Sequence, residues 1–192
     1  MINKGCFKGW YFRCCTGEKT VAFIPARHCT DNTESASLQI ITDGAAYNIP
    51  FDTLQYREKP LCVALDNCIF SEKGITLNLY NKKPRLEGSL RFRSRSPIRY
   101  DIMGPFAVVP FMQCRHSICS MKHEVYGQIG IDGRQYVFKN GTGYIEGDRG
   151  RSFPDRYIWT QCCFERGSLM LSVADFPFSV LHFTGIIGVV RH

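Results

Sequence analysis

The 192-residue sequence contains no Cys-x-x-Cys pair, no Gly-Lys-Ser/Thr phosphate loop, and no apolar run near the ~20 residues of a membrane-spanning helix. Those absences argue against a zinc-ribbon module, a P-loop nucleotidase and a helical membrane anchor. Residues 1–9 lack an apolar h-region and a small-residue cleavage site. No secretory signal or transit peptide is therefore expected, and the chain is placed in the cytoplasm. Fixed-period repeats, low-complexity segments and flexible linkers are also missing. Amphipathic helical patterning is scarce, with residues 53–58 reading as one short helical turn.

What is present is a β composition. Hydrophobic residues make up 44% and charged residues 21%, which excludes disorder and leaves enough apolar material for a sizeable core. Fourteen Phe, nine Tyr and seventeen Gly favour strands and tight turns. The ten cysteines include two adjacent pairs, whose members point to opposite faces of a strand. In a cytoplasmic chain they read as reduced thiols serving as small core residues.

Period-2 segments punctuated by turns dominate. Residues 10–15 and 20–25 flank Thr16-Gly17-Glu18-Lys19. Asp43-Gly44 and Asp132-Gly133 are two-residue hairpin signals, and Glu72-Lys73-Gly74 and Glu165-Arg166-Gly167 are three-residue ones. Residues 86–95 alternate again, and 183–190 form a last strand that either pairs backwards or belongs to an unfinished unit. The turn-rich stretch 94–105 suggests two consecutive β units, 1–100 and 101–192, the second shortened. The expected fold is all-β, an antiparallel lipocalin-like barrel or sandwich.

The net charge of +7 leaves nucleic acid to be considered. Arg91, Arg93 and Arg95, with Arg99 beyond, form one cationic strand face. No further basic stripe accompanies it, so it reads as a solvated, edge-protecting face and no nucleic-acid partner is expected.

Chemistry concentrates in residues 141–164. Tyr144, Glu146 and Asp148 share a face if that segment is extended, and Gly147-Asp148-Arg149-Gly150-Arg151 is then expected to break the strand. Tyr157, Trp159 and Gln161 share a face of the next strand. A carboxylate among aromatic walls has a raised pKa and can act as a general acid. Glu146 is the better acid, because Arg149 beside Asp148 favours its ionised form. A structural ion-pair network at a tight loop is the bland reading of the same charges. In residues 105–123, Arg115 alternates with His116, which shares a face with Cys114 and Ile118 and is usable as a base. His116 with Cys114 or Cys119 matches no Cys–His nucleophile signature, and the spacing of His28, Cys29 and His182 does not point to a metal. No metal is expected.

Two of these stretches resemble a known family. Phe7-Lys8-Gly9-Trp10-Tyr11-Phe12 is similar to the aromatic opening of tocopherol cyclase-like proteins. Residues 144–154, followed by Tyr157-Ile158-Trp159-Thr160-Gln161-Cys162, resemble that family's acidic and Trp-x-Gln-Cys stretch. Here Gly147-Asp148-Arg149-Gly150 replaces the family's Lys-x-Trp-Gly, and Cys162-Cys163 its Cys-Asn. The resemblance implies a lipocalin-like architecture related to carotenoid hydratases. It also implies cofactor-independent cyclisation or isomerisation of a prenylated quinol or other isoprenoid, with no cofactor required. In that reading Glu146 or Asp148 protonates an alkene. Trp10, Tyr144 and Trp159 line an aromatic cavity, and His116, Gln161 or Arg115 orient the substrate. A non-catalytic carrier of an apolar ligand or lipid is the alternative. Peripheral membrane contact and a homodimer through the C-terminal edge strand stay open.

Overall fold

The computed structural model describes residues 5–17, 19–30, 33–109, 112–178 and 181–192. Residues 1–4 of the N-terminal segment, Glu18 of the first turn, Pro110 and Phe111 lie outside the described residues, as does the His182 side chain. The strands are β1 (Cys6–Thr16), β2 (Lys19–Cys29), β3 (Glu34–Thr42), β4 (Ala46–Phe51), β5 (Gln55–Glu58), β6 (Leu61–Leu65) and β7 (Cys68–Ser71). They continue as β8 (Gly74–Leu79), β9 (Leu86–Arg93), β10 (Cys114–Ile131), β11 (Arg134–Gly150), β12 (Tyr157–Phe164), β13 (Gly167–Phe178) and β14 (Leu181–Arg191). A 3-10 turn over Gly104–Val108 lies between β9 and β10.

The chain is all-β and antiparallel. Eleven strands form one sheet in the order β4-β3-β2-β1-β11-β10-β9-β8-β7-β6-β5, and β12-β13-β14 form a second. The edge strands β4 and β5 do not pair among the described residues, so the large sheet curls without closing as a barrel. Alternation does the sorting. In β8, Ile75, Leu77 and Leu79 are buried and Thr76 and Asn78 exposed, as a strand with one dry face requires. Phe12, Phe23, Phe70, Ile129 and Phe138 meet in the core that the curled sheet encloses.

Turn chemistry sets the hairpins. Asp132 and Gly133 both take positive φ (50° and 84°), as a type I′ turn demands. Thr42 closes the β3–β4 turn, its Oγ1 accepting the N–H of Ala45 at 3.1 Å. Residues 53–58 do not form a helical turn: Gln55–Glu58 is β5, paired with β6. Residues 147–150 do not break β11. Gly150 is paired with Phe7 on one side and Cys114 on the other, and two flanking ladders override the local turn signal. A Cβ at Gly150 would collide with the Gln113 carbonyl, so the close approach of β10 requires glycine there.

The stretch 94–105 lies in the connection from β9 to β10, neighbours in one sheet. The strand ladders divide after Gly150 and resume at Tyr157. β14 pairs backwards with β13, leaving β12 and β14 as the edges of the small sheet. A second apolar layer joins the sheets, where Ile118, Met121 and Tyr144 meet Met170 and Val189. The reading of all cysteines as reduced thiols is corrected: Cys6 and Cys29, opposite each other on β1 and β2, are disulfide-bonded. The other eight are free. Among the described residues no helix is long and apolar enough to cross a membrane.

Candidate functional site

Residues 7–12 and 144–150 lie side by side. β1 and β11 pair with Trp10 opposite Gly147 and Tyr11 opposite Glu146. β10 flanks β11 on its other side and sets His116 opposite Asp148. Three strands distant in sequence thus bring one cluster together.

Within it runs a chain of polar contacts. The Tyr144 hydroxyl donates to Glu146 Oε2 at 2.6 Å. His116 Nδ1 donates to Asp148 Oδ1 at 2.6 Å, and His116 Nε2 lies 3.1 Å from Glu146 Oε2. That last contact is ionic in range but misaligned as a hydrogen bond, and Nε2 is a buried nitrogen with no hydrogen-bond partner. The Cys114 thiol adds a weak donor to Asp148 at 3.7 Å. Tyr144 is wholly buried and Glu146 is 5% exposed.

Burial and the carboxylates compete in the electrostatics. Burial is the largest influence on His116 and pushes its pKa down, yet the bond to Asp148, the contact with Glu146 and their charges together raise it to about 10. His116 is therefore an imidazolium at neutral pH. Burial is also the largest influence on Glu146 and raises its pKa, while His116 and the Tyr144 hydroxyl pull it down and the Asp148 charge pushes it up. Burial likewise raises the Tyr144 phenol. Of the two carboxyls beside His116, Glu146 is the one whose pKa is raised, so it takes up a proton first as the pH falls.

A cavity of about 540 Å³ opens beside this chain, within the range of small-molecule sites. His116, Asp148, Trp10 and Arg115 line it, with Met103, Ile102 and Tyr100 from the β9–β10 connection. Arg115 holds that connection, its Nη2 donating to the Ala107 carbonyl at 2.7 Å. The His116 backbone N–H donates to Met103 Sδ at 3.3 Å.

Glu146, Tyr144, Trp159 and Gln161 are not in the cavity wall. Tyr144 and Trp159 pack in the layer between the sheets, their rings 6.4 Å apart, with Trp159 edge-on to Tyr11 at 5.6 Å. Gln161 accepts from Arg13 at 2.5 Å, which ties the sheets together, and donates to Cys163 on its own strand. Sequence reasoning missed Lys8, Lys59, Arg99 and Arg149, which also line the cavity. Lys8 and Arg149 sit inside the two stretches already singled out, and the alternation of β1 and β11 was the signal available.

The ligand atoms of His116, Glu146 and Asp148 lie within 4.8 Å of one another. Their arrangement suits proton sharing better than chelation. Nδ1 and Nε2 face different carboxylates, whereas an ion uses one ring nitrogen and leaves the other to an outer partner.

No family model matches the sequence, and no curated protein matches it. Solved structures do. CghA with Sch210972 superposes with a TM-score of 0.63 and 9% identity, over 98% of this chain and 58% of that one. A further structure of CghA gives 0.61 and 8%, with the same coverage. The likeness is one of fold, and the chain spans 58% of the length of the CghA chain it matches.

Proposed function

We propose that this chain is a tocopherol cyclase-like protein, a cofactor-independent cyclase or isomerase of an isoprenoid-type substrate. The observation that supports this most is the proton-sharing chain Tyr144–Glu146–His116–Asp148, whose His116–Asp148 end faces a ligand-sized cavity. In this reading the His116 imidazolium passes its Nδ1 proton through Asp148 to a substrate alkene: the N–H bond breaks, the alkene π pair forms the C–H bond, and a carbocation remains. Glu146 replenishes the proton through the imidazole. The substrate's own hydroxyl oxygen closes the ring, and its proton returns to the carboxylates, so the product is an isomer of the substrate. Trp10 at the wall suits a cationic intermediate. The likeness in fold to CghA, whose structure is known with Sch210972, is compatible with a site for an organic ligand here.

The carrier reading has one observation in its favour. Glu146 is withdrawn from the cavity, and both imidazole nitrogens already face carboxylates, an arrangement that also serves structure alone. Turnover and binding separate the two. With a prenylated quinol, Asp148→Asn and Glu146→Gln are expected to cut turnover about 10²–10⁴-fold, the usual worth of general acid catalysis, at nearly unchanged affinity. Binding without turnover in the unmodified protein would leave the carrier.

A further inference from the structure

The carboxylates facing the cavity are all engaged. Glu58 pairs with Lys8, and Glu72 accepts from Arg95 at 2.9 Å. Asp148 is held by His116, and Asp101 accepts the backbone N–H of Met103 at 2.9 Å. The cations are not balanced in the same way. Lys59, Arg99, Arg115 and Arg149 line the same cavity, and among the described residues none of them makes an ion pair, Arg115 donating only to the neutral Ala107 carbonyl.

The sheet register sharpens this surplus. Arg149 on β11 lies directly opposite Arg115 on β10 and directly opposite Lys8 on β1. Like charges in directly opposed positions destabilise a sheet, and here four cations occupy one cross-strand row, Arg27 on β2 lying opposite Lys8 and paired outward with Glu34. Lys8 registers the field, its pKa lowered first by burial and then by the charges of Arg149 and Arg27. A row that costs stability in the empty protein becomes favourable when an anion lies across it, and guanidinium groups match the planar geometry of a carboxylate.

We infer that the cavity takes an amphiphilic organic acid, its carboxylate seated at Arg149 and Arg115 and its carbon skeleton lying toward Trp10, Ile102 and Met103. This rests on the reading of the same cavity as the ligand site, and it narrows the ligand class from apolar molecules to ionised acids with an apolar body.

Matched acid and alcohol pairs test the idea, retinoic acid against retinol and oleic acid against oleyl alcohol, with binding followed by tryptophan fluorescence and by equilibrium dialysis. The expected result is that the acids bind at least about tenfold more tightly, the worth of one charge-assisted hydrogen bond. Arg149→Gln should erase that preference and leave the alcohols unchanged. Arg149→Gln should also keep or raise the melting temperature of the empty protein, which shows that it folds and that the row repels. Equal affinity for acid and alcohol, or a preference that survives Arg149→Gln, would overturn the inference and leave the ligand site standing. Binding of neither class would overturn both.

Discussion

His116 sits between two carboxylates of the neighbouring strand, and its loss uncovers both. Replacing it with Gln leaves Glu146 and Asp148 facing each other in a largely dry layer, without the cation between them. Breaking a buried pair in this way costs roughly 3–5 kcal/mol, to be measured by urea denaturation at neutral pH. Glu146→Gln in the same background should restore part of that loss by removing one of the two charges. The pH dependence has a definite sign. The folded pKa of His116, about 10, lies above the unfolded value of ~6.5. Its contribution is complete below the unfolded value and is lost as pH rises through about 10. Denaturation curves of the parent protein and of His116→Gln should therefore converge between neutrality and that pH. Parallel curves would mean that His116 is not held as an imidazolium.

At the scale of elements, the register of β10 against β11 decides the site. Carried back from Ile131 opposite Arg134 without interruption, the hairpin would set His116 opposite Arg149. The irregularities at Ile118/Ser120, Ser120/His123 and Val125/Tyr126 leave it opposite Asp148 instead, and a slip of one residue exchanges the two faces of a strand. His123 fills the irregular stretch, buried against Phe92 with ring centroids 4.3 Å apart. A Cβ at Gly143 would drive into the His123 ring. Gly143→Ala should thus cost about 1–3 kcal/mol as an overpacking change, and thermal melts with His123→Ala in the same chain should show the loss relieved.

These features mark how far the sequence could be read. The Asp-Gly turns and the shared face of Tyr144, Glu146 and Asp148 follow from local chemistry and period 2, and they were legible. The pairing of His116 with Asp148 was not, because bulges leave no reliable local mark and shift the count by one. β5 was hidden because Gln55–Glu58 is exposed throughout and gains its strand geometry only from pairing with β6. The reach of β11 through Gly150 depends on ladders from both neighbours, which no local signal announces.

For the whole molecule, two histidines, His116 and the buried His123, oppose each other across the pH scale. Burial, helped by the charge of Arg95, lowers His123 to about 3, so its contribution is present above its unfolded value and is lost as pH falls toward 3. His116 acts on the alkaline side. Burial raises Cys119 to about 11, and this adds to the alkaline loss above its ordinary value near 9. The raised pKa of Glu146 works against His123 below neutrality, since its protonated form is favoured by the fold. Global stability measured by urea titration should pass through a maximum near neutral pH, and His123→Phe should flatten its acid limb. The Cys6–Cys29 bond fastens β1 to β2 beside the row of cations. Reducing it should lower stability by about 2–4 kcal/mol, seen as a fall in melting temperature that Cys29→Ser reproduces.

The most direct measurement is an NMR titration of the His116 imidazole in the intact chain, read from its ring carbon and nitrogen shifts. The expected result is a ring that stays protonated on both nitrogens from pH 5.5 to 8.5 and releases its proton near 10, at a lower pH in Asp148→Asn. A ring that titrates near ~6.5, the ordinary histidine value, with no response to Asp148→Asn, would contradict the proton-sharing chain and the acid chemistry proposed from it.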